Sequence, residues 1–383
     1  MGAMVVALGF LIMGCRKSPS NPKASTPEAQ ALLKKFIEIK DDQFQTLTRV
    51  SATSPSADYQ RFFQLGRKSK YGQMRGLFQD MASRSGQYAD SKSEDKSIRL
   101  SAWQTVLEVV MASDLFCAWN WRDILQYNHD VIEAMETPCI YFGGTDPGRT
   151  LPTVFVETGE SKRIVVLTQN PLADQTYMDY IRFVHGAKIT LPSGEDFNKV
   201  FNDLVQARNQ KPNSGFTLER DPTGKGMRAS VSGPEAVFAI NGALAQWIFE
   251  KNKDHFSFYL EESYPMDWIY DHAVPSGPIL KLNKDPLKGR LDKKLVEKDT
   301  AFWNARVKEL MGDPRSLLEN VADRVVSARA AYSKMRTAIA RLYDHHGMTE
   351  EADYALKQAL QLCPGNREAT DLSSRIKGRE LAR

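Results

Sequence analysis

The stretch IYFGGTDPGR, residues 140–149, decides how this chain is read. An apolar run stops at Gly143-Gly144, and Thr145, Asp146, Pro147 and Arg149 follow at once. Before it, apolar residues recur at spacings of three and four, as on one face of a helix. EAQALLKKFIEI, DYQRFFQLGR, YGQMRGLFQDMASR, AWQTVLEVVMASDLFCAWNW and WRDILQYNHDVIEAM all have this character. Residues 28–136 are therefore expected to be a helical region, interrupted by a charged, flexible loop at 88–97.

From residue 137 the period changes. TPCIYFGG, KRIVVLTQN, HFSFYLEES and GPILKLNKDPL are short apolar runs that end in turn residues. Runs of this kind suit strands buried on both faces of a parallel sheet. MRASVSG is a weaker fifth strand candidate. Between the runs, GRTLPTVFVETGE reads as a short helix or an irregular segment. PLADQTYMDYIRFVHG has Asn170 placed to cap a helix that starts at Pro171. GEDFNKVFNDLVQARNQ and PEAVFAINGALAQWIFEKN are clear helices. Alternation of strand and helix predicts an α/β module over 137–292, an open and mostly parallel sheet with helices on both faces.

The C-terminal part, 293–383, is expected to be helical: DTAFWNARVKELMG, then one long helix or two in line from Pro314 to Gly347. A 34-residue tetratricopeptide count over about 333–366 fits the tail. Counted from Ser333, small Ala340, Ala352 and Ala359 fall where two helices must approach closely. Tyr343, Gly347 and Pro364 take the aromatic, turn and stop positions. REATDLSSRIKGREL would cap the hairpin against solvent.

In open α/β sheets ligands bind beyond the carboxyl ends of the strands. Three clusters stand at such ends: Thr145-Asp146-Arg149, Gln169-Asn170-Asp174 and Glu261-Glu262-Ser263. Their convergence would form one crevice. Gly143 and Gly144 would let backbone approach a ligand, helix-start N–H groups would favour an anion, and Arg149 would pair with it. The competing reading gives each residue a structural role, with Thr145 or Asp146 as one cap, Asn170 as another, and Glu261 and Glu262 in solvent or paired with Arg. A pair of carboxylates such as Asp146 and Glu262 could do acid–base work.

Composition excludes several classes. Lys and Arg total 51 against 47 Asp and Glu, a net charge of +4 that does not point to nucleic acid. TGKG at 223–226 lacks the upstream glycine of a phosphate loop, and no GxSxG elbow occurs. The histidines show no metal-binding spacing; His345 and His346 are adjacent, in the turn of the repeat, and read as solvated. No metal or cofactor is expected. The cysteines at 15, 117, 139 and 363 form no CxxC pair. Cys117 and Cys139 are either a disulfide of an oxidising compartment or free thiols, with Cys139 buried.

MVVALGFLIMGC, residues 4–15, has the length of a signal-peptide apolar core. Its end, LIMGC, resembles a bacterial lipobox, which would make Cys15 the lipidated residue of a segment 1–15. Residues 16–27 read as a polar, Pro-bearing linker. One departure is the lack of Lys or Arg ahead of the apolar run.

Five segments resemble a known family in their order: IYFGGTDPGRTLPTVFVE, VVLTQNPLADQTYMDYIR, VFAINGALAQWIFEKN, FYLEESYPMDWIYDHAVPSGPILKLN and AAYSKMRTAIARLY. They look like the extracytoplasmic C-terminal region of a bacterial family of multi-spanning membrane proteins similar to protein O-mannosyltransferases. Some of its members carry tetratricopeptide repeats. The likeness covers roughly residues 100–370. It implies a location outside the cytoplasm and an α/β module with a helical appendix. The catalytic carboxylate of such transferases lies in a membrane-embedded part, so no catalytic residue transfers. The expected function is a membrane-tethered, non-catalytic ligand- or partner-binding module of the bacterial envelope, with the hairpin open to a protein partner. The alternative is an enzyme or accessory subunit in glycosyl transfer with a sugar-phosphate site at the strand ends.

Overall fold

The structure, a computed structural model, describes residues 26–86, 91–159, 163–208, 215–220, 227–312 and 327–381. The lipobox-like segment with Cys15, nearly all of the 16–27 linker, TGKG and residues 313–326 lie outside the described residues. Five helices open the chain: α1 (Pro27–Val50), α2 (Ala57–Arg67), α3 (Tyr71–Arg84), α4 (Trp103–Ala118) and α5 (Trp121–Glu133). Next come β1 (Cys139–Gly143), α6 (Asp146–Thr158), β2 (Ile164–Thr168), α7 (Gln175–His185) and α8 (Gly194–Arg208). They are followed by β3 (Phe216–Arg220), β4 (Met227–Val231), α9 (Pro234–Asn252), β5 (Ser257–Leu260) and α10 (Asp267–Tyr270). The last elements are β6 (Ala273–Ser276), β7 (Ile279–Leu282), α11 (Lys293–Gly312), α12 (Ala328–His345), α13 (Thr349–Leu362) and α14 (Arg367–Leu381). The protein is mostly helical around a five-stranded mixed open sheet, broadly an α/β arrangement.

The chain groups into two compact units, each discontinuous in sequence: Leu32–Ser113 with Thr168–Asn252, and Asp114–Leu167 with Lys253–Arg383. In the first unit, Phe44 stacks on Tyr59 with ring centroids 4.9 Å apart, and Phe78 on Trp103 at 5.2 Å. Helix α9 is buried over most of its surface, which is why it is apolar nearly all round. Its two buried amides secure neighbouring loops. Asn241 accepts from Ala173 N at 2.8 Å and donates to Asn170 O; Asn252 accepts from Thr190 N at 2.8 Å. The loop expected to be flexible is held at residues 91–97. Lys92 N and Asp95 N donate to Ser83 O and Arg84 O at 2.7 Å, and Arg84 bonds Asp58, Asp80 and Asp95. The serine at 97 and then Arg84 keep the Asp95 carboxyl below its ordinary range.

In the second unit the sheet order is β2-β1-β5-β7-β6. All of β1 is buried, as an apolar run with no alternation requires. β1 and β5 run parallel, with Phe142 opposite Leu260. The expectation of a mostly parallel set needs one correction. β7 is antiparallel to β5, with Leu260 opposite Leu280, and to β6, from which Gly277-Pro278 reverses the chain in two residues, too few for a parallel crossover. Gly277 takes φ +56°, the left-handed conformation such a reversal needs. β6, unexpected from the sequence, is the edge strand, where Pro275 is tolerated. MRASV lies outside this sheet: β4 pairs with β3 in a separate two-stranded ribbon.

The segment read as a short helix or irregular is helical up to Thr158 despite Pro152 inside α6. Proline cannot donate to the carbonyl four residues back. That carbonyl, Gly148 O, accepts instead from Tyr141 OH of β1 at 2.9 Å. The sheet thus completes the helix that its own sequence interrupts. Helix α7 starts at Gln175 rather than Pro171. Asp174 is the cap, accepting from Thr176 N at 2.8 Å, so Asn170 does not cap it.

The α12–α13 turn holds Gly347 at φ +67°, and Ala340, Ala352 and Ala359 are fully buried in the hairpin. Ser333 Oγ donates to Ala359 O at 2.7 Å. Every residue from Met335 to Tyr343 is buried, so α12 is covered on all sides. Ala369, Leu372 and Ile376 give α14 its inner face. Cys117, Cys139 and Cys363 are free thiols, so the disulfide alternative is not realised. Cys139 is fully buried, and burial pushes its thiol up to about 12. In the native protein a thiol reagent at pH 8 should label the half-exposed Cys117 and Cys363 and spare Cys139. Complete reaction at Cys139 without denaturant would show that β1 opens.

Candidate functional site

The geometry answers the question posed by GGTDPGR. The backbone after β1 and the start of α6 form an anion cradle, and Glu261 fills it. Glu261 Oε2 accepts from Gly144 N at 3.1 Å and Thr145 N at 2.9 Å; Oε1 accepts from Thr145 Oγ1 at 2.5 Å and Tyr127 OH at 3.0 Å. The carboxylate is buried, and the positive end of α6 supplies much of what water would otherwise give. Thr145 also caps α6, its hydroxyl accepting from Gly148 N at 3.2 Å. The pairing of β1 with β5 puts this residue there: Phe142 faces Leu260, so the next residues, Gly143 and Glu261, arrive together.

The glycines follow from that packing. A Cβ on Gly144 would stand 2.2 Å from Glu261 O, one on Gly143 2.6 Å from Arg149 Cα, and one on Gly148 1.5 Å from Glu261 Oε2. Close approach is needed, as read from the sequence, but the group approaching is the protein's own. Burial, and then the charge of Glu261, raise the Tyr127 and Tyr141 hydroxyls well above the ordinary phenol range, so both stay protonated donors.

Glu262 turns the opposite way, as successive residues of an extended strand do. It is buried, accepts from Tyr270 OH at 2.6 Å and is ion-paired with Arg341 of α12. Arg341 also reaches Glu368 of α14. Asp146 and Glu262 therefore do not form a working pair: Glu262 is committed to the hairpin. Asp146 is the open member of the cluster, with its side chain 62% exposed, and it pairs with Arg149 at 2.8 Å. Arg149 itself is nearly buried in α6. Ser263 brings its backbone N to the edge of Gly144.

Gln169, Asn170 and Asp174 belong to the first unit. Gln169 is buried, Asn170 offers its carbonyl to Asn241, and Asp174 caps α7. Among the described residues, no group of three or more His, Cys, Asp or Glu side chains could hold a metal ion.

Sequence reasoning missed several polar centres. In the first unit Lys40 is fully buried; its Nζ donates to Tyr180 OH at 2.8 Å and Gln43 Oε1 at 3.1 Å and pairs with Glu108. Burial, then Lys188 and Lys40, push the nearby His185 imidazole down to about 3. It stays neutral in the fold, so its stabilising effect is present above about pH 6.5 and is lost as pH falls towards 3. In the second unit Asp130 accepts from Tyr332 OH at 2.6 Å and Arg306 at 2.7 Å. Asp299 accepts from Arg336 and Tyr343 OH, both at 2.7 Å. The signal available was charge at buried helical spacing, as with Lys40 among Phe36, Ile37 and Phe44.

No helix of the described residues is long and apolar enough to cross a membrane. No protein-family model, no curated protein and no solved structure matches the chain.

Proposed function

We propose that the chain is a membrane-tethered extracytoplasmic protein of the bacterial envelope, a non-catalytic module that binds a partner. The observation that carries this reading is the state of the strand-end carboxylates. Glu261 occupies the anion cradle and Glu262 engages Arg341, so the donors that could hold a sugar phosphate there are spent on internal order. The finer architecture goes with it: a mixed-sheet module with helices on both faces, and a tetratricopeptide-type hairpin. In that hairpin α12 is covered, and the outward faces of α13 and α14, with Tyr354 and Lys357 on the first, are left for a protein. Tethering rests on Cys15 and on the resemblance in sequence.

The test has two arms. Cys15→Ser should move the chain from the membrane fraction to the soluble extracytoplasmic fraction. A photo-crosslinker at Tyr354 in intact envelope should capture a discrete protein. Retention of the Cys15 variant in the membrane overturns the lipid tether; absence of any adduct overturns the partner surface. The glycan-transfer alternative is favoured by one feature, the exposed Asp146 beside Arg149. Calorimetry with a sugar phosphate decides it: binding heat lost in Asp146→Ala with an unchanged melting temperature would restore that reading.

A further inference from the structure

The adjacent histidines of the α12–α13 turn have an arrangement that one protonation state satisfies. His346 Nδ1 lies 2.8 Å from Gly289 O, and its Nε2 lies 3.1 Å from Tyr270 O. A carbonyl oxygen only accepts, and a neutral imidazole carries a single N–H. Both contacts are hydrogen bonds in the imidazolium form alone. Beside it, His345 Nε2 lies 2.9 Å from Asp271 Oδ1, an ion pair when that ring is charged. We propose that His345 and His346 form a pH-sensitive clasp. When protonated, they fasten the α10–β6 connection and the loop before α11 to the turn of the C-terminal hairpin.

The gripped segments are already joined to each other. Leu287 N donates to Asp271 O at 2.6 Å and Asn283 N to His272 O at 2.8 Å. Tyr270 O ends the short α10, where a carbonyl lacks a helical partner. One imidazolium therefore ties both of these joined strips of backbone to the α12–α13 turn. Asp267, Glu368 and Arg375 act at Tyr270, whose ring lies 5.4 Å from that of His345. Asp344 is held by Arg379 of α14, and Arg290, next to Gly289, is paired with Glu351 of α13 at 3.5 Å. Asp271 answers His345, whose ring centroid is 5.2 Å from that of His346. Two imidazolium rings this close repel, and Asp271 offsets part of that charge. The clasp tightens when the imidazoles gain a proton and slackens when they lose it. His185 of the other unit responds with the opposite sign, so a bulk melting curve mixes the two.

Hydrogen exchange at the Leu287 and Asn283 amides isolates the clasp. After correction for the intrinsic rate, Leu287 should be about tenfold better protected at pH 5.5 than at pH 8, the worth of one charge-assisted bond. His346→Gln should reduce that pH dependence, adding His345→Gln should remove it, and both variants should leave exchange in α9 unchanged. The side-chain nitrogen spectrum of wild type gives a second reading: His346 should show imidazolium at pH 5.5 and one neutral tautomer at pH 8. Equal pH dependence in wild type and variant overturns the proposal, as does a neutral His346 at pH 5.5. Should the variant not fold, the wild-type nitrogen spectrum alone decides.

Discussion

Gly148→Ala is expected to destabilise the second unit by roughly 3–5 kcal/mol, the scale for disrupting a buried charged network. The sign is the informative part. Within a helix, glycine to alanine ordinarily stabilises by up to about 1 kcal/mol. Here the new methyl would stand 1.5 Å from Glu261 Oε2, and Glu261 cannot keep its seat. Leaving it breaks the bonds from Gly144 N, Thr145 N, Thr145 Oγ1 and Tyr127 OH together. The start of α6 then loses its anion, and Tyr127 is left with a buried hydroxyl to satisfy. A double-mutant cycle separates this from general damage. Glu261→Ala alone should also be costly, because the cradle donors lose their acceptor. Adding Gly148→Ala to that background should cost nothing further, since the clashing oxygen is gone. Urea unfolding followed by the tyrosine and tryptophan signals measures all four corners. Additive losses would mean that Gly148 is required for some reason other than Glu261.

The same residues show what a sequence reveals and what it withholds. The apolar run of β1, the cap at Thr145, both ends of α9 and the close approach at Gly143-Gly144 all follow from local chemistry, whereas the cap of α7 is Asp174 and not Asn170. The identity of the approaching group does not. Glu261 is 117 positions after Gly144 and reaches it because β1 and β5 are neighbours, and strand order is a property of the whole chain. β6 was hidden by Pro275, which marks an edge position only once the sheet is known. β7 has the composition of a parallel strand, and two turn residues set its direction. Helical period over 328–343 shows where α12 lies, but Arg336 and Arg341 look like ordinary surface charges on it. Only the packing of α11, β5 and α13 turns them inward.

Asp299→Asn is the second substitution expected to have a large effect. Arg336 and Asp299 are both buried, with Nη1 and Oδ2 2.7 Å apart, and Tyr343 OH donates to the same oxygen. Gln358 of α13 accepts from Arg336 Nε at 2.9 Å, and the guanidinium lies 5.1 Å from the centre of the Trp303 ring. One ion pair thus joins α11, α12 and α13. Burying two charges costs nearly as much as their attraction returns, so the pair adds little to net stability. Removing one charge is a different matter, because the other stays buried without compensation. Asp299→Asn keeps size and shape and should still cost about 3–5 kcal/mol. Asp299→Leu with Arg336→Met should recover most of that loss, since both desolvation penalties vanish together. If the hairpin were an independent appendage, Asp299→Asn would loosen α12–α14 and leave β5 and β7 protected from hydrogen exchange. The expected result is that they lose protection together. Arg341 carries the hairpin to Glu262, Glu262 follows Glu261, and Glu261 seats α6. The two carboxylates at the end of β5 therefore join the sheet to the hairpin, and the damage should run through them.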